Sequence, residues 1–196
     1  MGKLAEFFFD VGSPAAYLAW TQLPALCAET GAELVYRPML LGGVFHSTGN
    51  ASPTAIAAKG RYVSIDYGRF ARRYGVPLVI NPHFPINTLT LMRALTGVQR
   101  RQPERFAALL AVLFRALWID AVNLNDPALA AQTLTQGSFD PPEILALAAE
   151  PETKAALKET TDEAVRRGVF GAPTTFVGEE MFFGQDRLDF IAEALA

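Results

Sequence analysis

The chain has 196 residues, 51% of them hydrophobic and 19% charged, and its 17 Lys+Arg against 20 Asp+Glu give a formal net charge of −3. That apolar fraction excludes a disordered chain, and the length is enough to bury a core without a disulfide or metal staple. The mild negative charge argues against nucleic-acid binding, which needs a basic patch to neutralise phosphates, and no apolar run reaches the roughly 18–20 residues needed to cross a bilayer.

The first segment, Leu4 to Asp10, is short and aromatic and reads as a buried strand. Val11-Gly12 breaks it. Ser13-Pro14 then opens a helix: Ser is a good N-cap, and Pro suits the first helical position, where its missing N–H would be unpaired anyway. The helix is expected to run from Pro14 to about Glu29 and to close at Thr30-Gly31. Ala32 to Arg37 alternates, is bounded by Pro38, and reads as a second strand, completing a βαβ unit. The N-terminal apolar stretch is broken by Asp10 and lacks the pattern of a signal peptide, so the expected compartment is the cytoplasm.

From Leu40 to about Arg166 the pattern is helical. Leu41-Gly42-Gly43 through Gly49-Asn50 reads as a loop. Pro53 to Tyr74 reads as a helix, with Ile56, Tyr62, Ile65, Tyr67 and Phe70 as apolar candidates. Gly75 to Pro82 is expected to be an extended connector, and Asn87 to Arg101 a helix. Pro103 to Ile119 is another, with Phe106, Leu109, Leu110, Leu113 and Leu117 on one face. Asn125-Asp126-Pro127 and Asp140-Pro141-Pro142 signal two shorter helices, and Pro151 to Arg167 a further one. Thr174 to Val177 and Met181 to Phe183 read as a hairpin around Gly178-Glu179-Glu180. Gly184-Gln185-Asp186 opens a last helix from Arg187 to Leu195. The order βαβ, helices, ββα predicts an α/β, thioredoxin-like fold with a large all-helical insertion. The thioredoxin-like parts are placed at residues 1–40 and 168–196, and the insertion at about 41–167.

Three features carry chemistry, and each also has a plain structural reading. Ser13 is an ordinary N-cap. It also stands at a helix N-terminus, where free N–H groups and roughly half a positive charge stabilise an anion, and its hydroxyl could donate to a thiolate and lower its pKa. Ala172-Pro173 reads either as a plain strand start or as a cis-proline that leaves the Ala172 backbone able to pair with a peptide-like ligand. Gly184-Gln185-Asp186 is a helix start, or a clamp in which N–H groups and Gln185 take an α-carboxylate and Asp186 an α-ammonium. A thiolate donor, a backbone pairing edge and a zwitterion clamp together fit the thiol, the cysteinyl amide and the γ-glutamyl end of glutathione.

Five segments carry a family resemblance: Phe9-Asp-Val-Gly-Ser-Pro-Ala-Ala-Tyr17, Arg37-Pro-Met-Leu-Leu-Gly-Gly-Val-Phe45, Thr48-Gly-Asn50, Gly168-Val-Phe-Gly-Ala-Pro173 and Phe183-Gly-Gln-Asp-Arg187. Running in order across nearly the whole chain, they resemble the kappa-class glutathione transferase family and, within it, the 2-hydroxychromene-2-carboxylate isomerases. The resemblance implies glutathione as cofactor, with Ser13 activating its thiol, Ala172 and Pro173 at the cysteinyl backbone, and Gly184, Gln185 and Asp186 at the γ-glutamyl group. It implies that Asn50 contacts glutathione or substrate. His46 stands where many relatives carry Lys, and His46 and Arg61 are the substrate-side candidates. The implied substrate is a small aromatic keto-acid or hemiketal, and the implied assembly is a homodimer with no nucleic-acid or membrane partner. Related disulfide oxidoreductases carry a CxxC at the helix start; here Gly12-Ser13-Pro14-Ala15 excludes thiol–disulfide exchange by the protein's own residues. Two alternatives stay open: a transferase or peroxidase acting on other electrophiles, and a non-catalytic thioredoxin-fold binding protein.

The remaining candidates read as structural. Cys27, the sole cysteine, is expected to be a buried core thiol, His83 to serve its loop, and Phe114 and Trp118 to be core. Two His and one Cys, widely spaced, make no metal motif. Lys59, Arg61 and Arg93 are carboxylate anchors or solvated surface charges.

Overall fold

The computed structural model describes residues 3–196. A four-stranded sheet, order β2-β1-β3-β4, is built from both ends of the chain: β1 Leu4–Phe9, β2 Glu33–Pro38, β3 Thr174–Val177 and β4 Glu180–Phe183. β1 pairs parallel with β2 and antiparallel with β3, which pairs antiparallel with β4. Between β1 and β2 runs α1, Pro14–Thr30. Its N-cap Ser13 accepts a hydrogen bond from the Ala16 N–H, and it ends at Gly31 with φ 66°. Between β2 and β3 lie α2 Leu41–Thr48, a 3-10 turn at Pro53–Ala55, α3 Ala57–Tyr74, α4 Leu89–Arg101, α5 Pro103–Trp118, α6 Pro127–Gln136, α7 Pro141–Ala149 and α8 Pro151–Arg166. A final α9, Leu188–Leu195, follows β4.

Strand alternation divides the aromatic run of β1 between two layers. Phe7 and Phe9 stack at 5.1 Å between ring centroids on one face, and Phe9 meets Phe114 of α5. That face holds the larger core, where α1, α4 and α5 pack. Phe8 points the other way, toward Met39, Val44, Ala164, Val169 and Phe176 beneath α2 and α8. The guanidinium of Arg167 covers the Phe176 ring at 3.8 Å, and Arg37 and Arg167 both pair with Glu6 and Glu163. Buried sheet aromatics are thus sealed at their edge by an ion network.

Local signals place most helices. Asp126 and Asp140 cap α6 and α7, each with Pro at the first helical position. On α5, Phe106, Leu109, Leu110, Leu113 and Leu117 are buried, as their spacing predicts.

Three expectations change. Residues 41–48, read as a loop from the paired glycines, form α2. Its first N–H groups are met from far along the chain: Thr161 accepts from Leu40 N at 3.0 Å, and Asp10 from Leu41 N at 2.8 Å. Second, Ile56, Tyr62 and Ile65 are exposed rather than core. α3 meets the core through Tyr67, Phe70, Ala71 and Tyr74, so the first half of the helix stands clear of it. Third, the last helix starts at Leu188, and Gln185-Asp186 form a turn before it. Among the described residues no helix is long and apolar enough to cross a membrane.

Candidate active site

A cleft of about 850 Å³ opens where the first turn of α1 meets the loop before β3, the turn after β4, and one side of α3. Ser13, Asn50, Ala172, Gly184, Gln185 and Asp186 all line it. Residues far apart in sequence converge because β1 and β3 are sheet neighbours, which sets the loop after one beside the loop before the other.

Ser13 is 5% exposed. Besides capping α1, its hydroxyl donates to the carbonyl oxygen of Ala172 at 3.0 Å. The Ala172–Pro173 peptide bond is cis, and the Pro173 carbonyl accepts from Gly184 N at 3.0 Å. The helix start, the Ala172 backbone and the turn after β4 therefore form one connected rim. Pro173 supports the rim without lining the cleft.

Asp10, in sequence an acid at the end of a strand, organises the floor of this site. It is 1% exposed and lines the cleft. Its Oδ1 accepts from Gly12 N at 2.9 Å; its Oδ2 accepts from Leu41 N at 2.8 Å and from the Thr88 hydroxyl at 3.0 Å. Burial pushes its pKa above 3.8, and the three hydrogen bonds oppose that shift. One carboxyl thus fixes the Ser13 turn, the start of α2 and the residue before α4. The signal in the sequence was an acid closing an aromatic strand, directly before Gly12-Ser13-Pro14.

The turn after β4 is equally well tied. Gln185 is 6% exposed, and its carbonyl accepts from the Tyr74 hydroxyl at 2.5 Å. Burial, together with the Asp186 charge, raises the Tyr74 pKa to about 12. Gly184 has φ 104°, and a Cβ built there would fall 2.5 Å from Asp186 Oδ1, so only glycine lets the Asp186 carboxylate fold back over this turn. Arg187 Nη1 holds Asp186 Oδ2 at 2.5 Å. Across the cleft, Asn50 Nδ2 donates to the Phe170 carbonyl at 2.7 Å, joining the end of α2 to the loop before β3.

His46 and Arg61 are exposed and stand outside the lining; the cation that does line the cleft, among the described residues, is Lys59. Trp118 serves both as core and as cleft wall: it is buried, and its Nε1–H donates to the Val11 carbonyl at 2.8 Å. Cys27 is buried, away from the cleft, and burial raises its thiol pKa. His83 is in a loop, where its N–H donates to Asn81 Oδ1.

A family model described as DSBA-like thioredoxin domain matches residues 5–196. The chain is 28% identical over 197 residues to 2-hydroxychromene-2-carboxylate isomerase of Sphingobium xenophagum, with 100% of this chain and 99% of the relative covered. It is 29% identical over 209 residues to glutathione S-transferase kappa 1 of Homo sapiens, with 98% of this chain and 91% of the relative covered. A solved 2-hydroxychromene-2-carboxylate isomerase structure is similar with a TM-score of 0.84 at 28% identity, covering 98% of this chain and 94% of that one.

Proposed function

The chain belongs to the DSBA-like thioredoxin domain family, and from that premise we propose that it is a glutathione-dependent isomerase. Its substrate in this reading is 2-hydroxychromene-2-carboxylate, and its product trans-o-hydroxybenzylidenepyruvate, in the breakdown of naphthalene-type aromatics. The observation that carries the proposal is the convergence of Ser13, Ala172 and the Gly184–Asp186 turn on one cleft, with Ser13 and Ala172 in direct hydrogen-bond contact.

The residues present fit glutathione. Gln185 offers a nearly buried amide at the cleft wall, Gly184 opens the space for the Asp186 carboxylate, and Lys59 offers a positive charge for an anionic group. Bound there, glutathione would supply a thiolate nucleophile that adds to the conjugated carbon of the opened substrate and leaves after the intervening bond has rotated. Ser13 would stabilise that sulfur as an anion, by its hydroxyl and by the N-terminal field of α1. The Ala172 backbone would pair with the cysteinyl amide, and Asp186 would hold the γ-glutamyl ammonium. Trp118 and the cis-Pro85 loop supply an apolar wall suited to an aromatic ring. The same reading has the enzyme acting as a homodimer in the cytoplasm.

The alternative is a kappa-like transferase or peroxidase, which the same cofactor site would serve. Calorimetry of glutathione with wild type and Asp186→Ala tests the cofactor: binding that collapses in the variant supports it, and no binding to wild type overturns it. Incubation with the chromene carboxylate then separates the activities. An isomerase returns its glutathione in full, while a transferase accumulates the conjugate.

A further inference from the structure

α3 turns one stripe toward the cleft. Lys59, Val63 and Tyr67, spaced four apart on one helix face, all line it. Seven residues beyond Tyr67, Tyr74 ties the same helix to the Gln185 carbonyl. The stripe therefore runs along the cleft toward the Gln185-Asp186 turn. Tyr67 is its aromatic member at that end. The ring packs against the core, and the hydroxyl, on a residue that lines the cleft, makes no hydrogen bond to another protein group among the described residues. The phenol is thus free to donate to a molecule in the cleft.

The charges around the hydroxyl settle what it can offer. Burial raises the Tyr67 pKa, and the carboxylates of Asp66 and Asp186 raise it further. The group therefore keeps its proton and acts as a donor. Asp66 pairs with Arg69 at 3.2 Å and Asp186 with Arg187, and among the described residues neither carboxylate accepts from the Tyr67 hydroxyl.

We propose that Tyr67 is a further ligand-binding residue, its hydroxyl donating to the α-carboxylate of the γ-glutamyl group whose α-ammonium Asp186 holds. The assignment rests on the glutathione reading above. It completes the charge logic of the clamp: an anionic side chain meets the ammonium, and neutral donors from Gln185 and Tyr67 meet the carboxylate.

The test is calorimetry with two ligands and two proteins. The ligands are glutathione and its analogue in which 4-aminobutanoyl replaces γ-glutamyl, so that only the α-carboxylate is missing. The proteins are wild type and Tyr67→Phe, with circular dichroism and melting temperature checking that the variant folds. Tyr67→Phe is expected to weaken glutathione about tenfold and to leave the analogue's affinity unchanged. Equal glutathione affinity in the two proteins, or an equal loss for both ligands, overturns the Tyr67 assignment while leaving glutathione in place. No glutathione binding to wild type overturns the cofactor reading, and the Tyr67 assignment with it.

Discussion

The hydroxyl of Ser13 donates to the carbonyl of Ala172 at 3.0 Å, across 159 residues of sequence. The same oxygen accepts from the Ala16 N–H at 3.2 Å, so one side chain both caps a helix and latches it to the loop before β3. A thiolate that accepted the Ser13 hydroxyl's hydrogen bond would free the Ala172 carbonyl, which an amide N–H of the same ligand can then use. The two exchanges are coupled: a thiol without a neighbouring amide must give up the latch and gains nothing at Ala172.

Ser13→Ala removes the cap, the latch and the proposed donor to a thiolate together. It should cost about 1 kcal/mol of stability through the lost cap, and raise the pKa of bound glutathione by about one unit. Ser13→Thr keeps the hydroxyl and should retain most of both. Thiolate absorbance of the bound tripeptide against pH reads the second effect. An unchanged titration in Ser13→Ala would remove Ser13 from its proposed role.

Asp10→Asn leaves at least one of the Gly12, Leu41 and Thr88 donors without an acceptor, and should cost about 1–3 kcal/mol in urea denaturation. The pH dependence has a definite sign. The Asp10 pKa in the folded chain is raised above 3.8, so the stability linked to its protonated form is complete below 3.8 and is lost as pH rises through the folded value. The advantage of wild type over the variant should therefore be largest at acid pH and narrow as pH rises. A difference that widens with pH would contradict this account of the buried carboxyl.

Tyr74→Phe deletes the bond to the Gln185 carbonyl, with a loss of about 0.5–1.5 kcal/mol at neutral pH. The Tyr74 pKa is raised from 10.0 to about 12, so its contribution is complete below pH 10 and is lost as pH rises through about 12. Wild type and variant should converge over that interval. Glutathione should also bind the variant more weakly, because the Gln185-Asp186 turn loses an anchor.

Gly184→Ala places a methyl group against the Asp186 carboxylate and forces a non-glycine residue to φ 104°. A stability loss of about 1–3 kcal/mol is expected from the backbone alone. Gly31→Ala provides the control: its φ is 66°, with nothing within 4 Å of the added Cβ. Both variants should be destabilised, and only Gly184→Ala should lose glutathione affinity. Equal affinity in the two would separate Gly184 from the clamp.

What could be read in the sequence was what local chemistry dictates. The Ser13-Pro14 cap, the aspartates before α6 and α7 and the apolar stripe of α5 need no knowledge of distant neighbours. α2 is different. Its glycines argue against a helix, and the Asp10 and Thr161 side chains that meet its start lie 31 and 121 residues away. Asp10 was missed as an organiser for the same reason, since two of its three partners are non-local. For the site, the rim residues were legible because helix caps and strand starts carry local signatures. The α3 wall was not: Tyr67 and Ile65 look alike as apolar positions until the helix is placed, and then one faces the cleft and the other is exposed.

The sheet order has a consequence for biosynthesis. Of the four strands of the sheet β1 is made before the others, but its neighbour β3 begins at Thr174, after all of the helices from α1 to α8. Until then the growing chain presents one flank of an aromatic strand with no partner, and Ser13 has no rim to latch onto. The cleft rim therefore assembles only after the β3–β4 hairpin is made, and a polypeptide released before it would have α1 to α8 but not the rim.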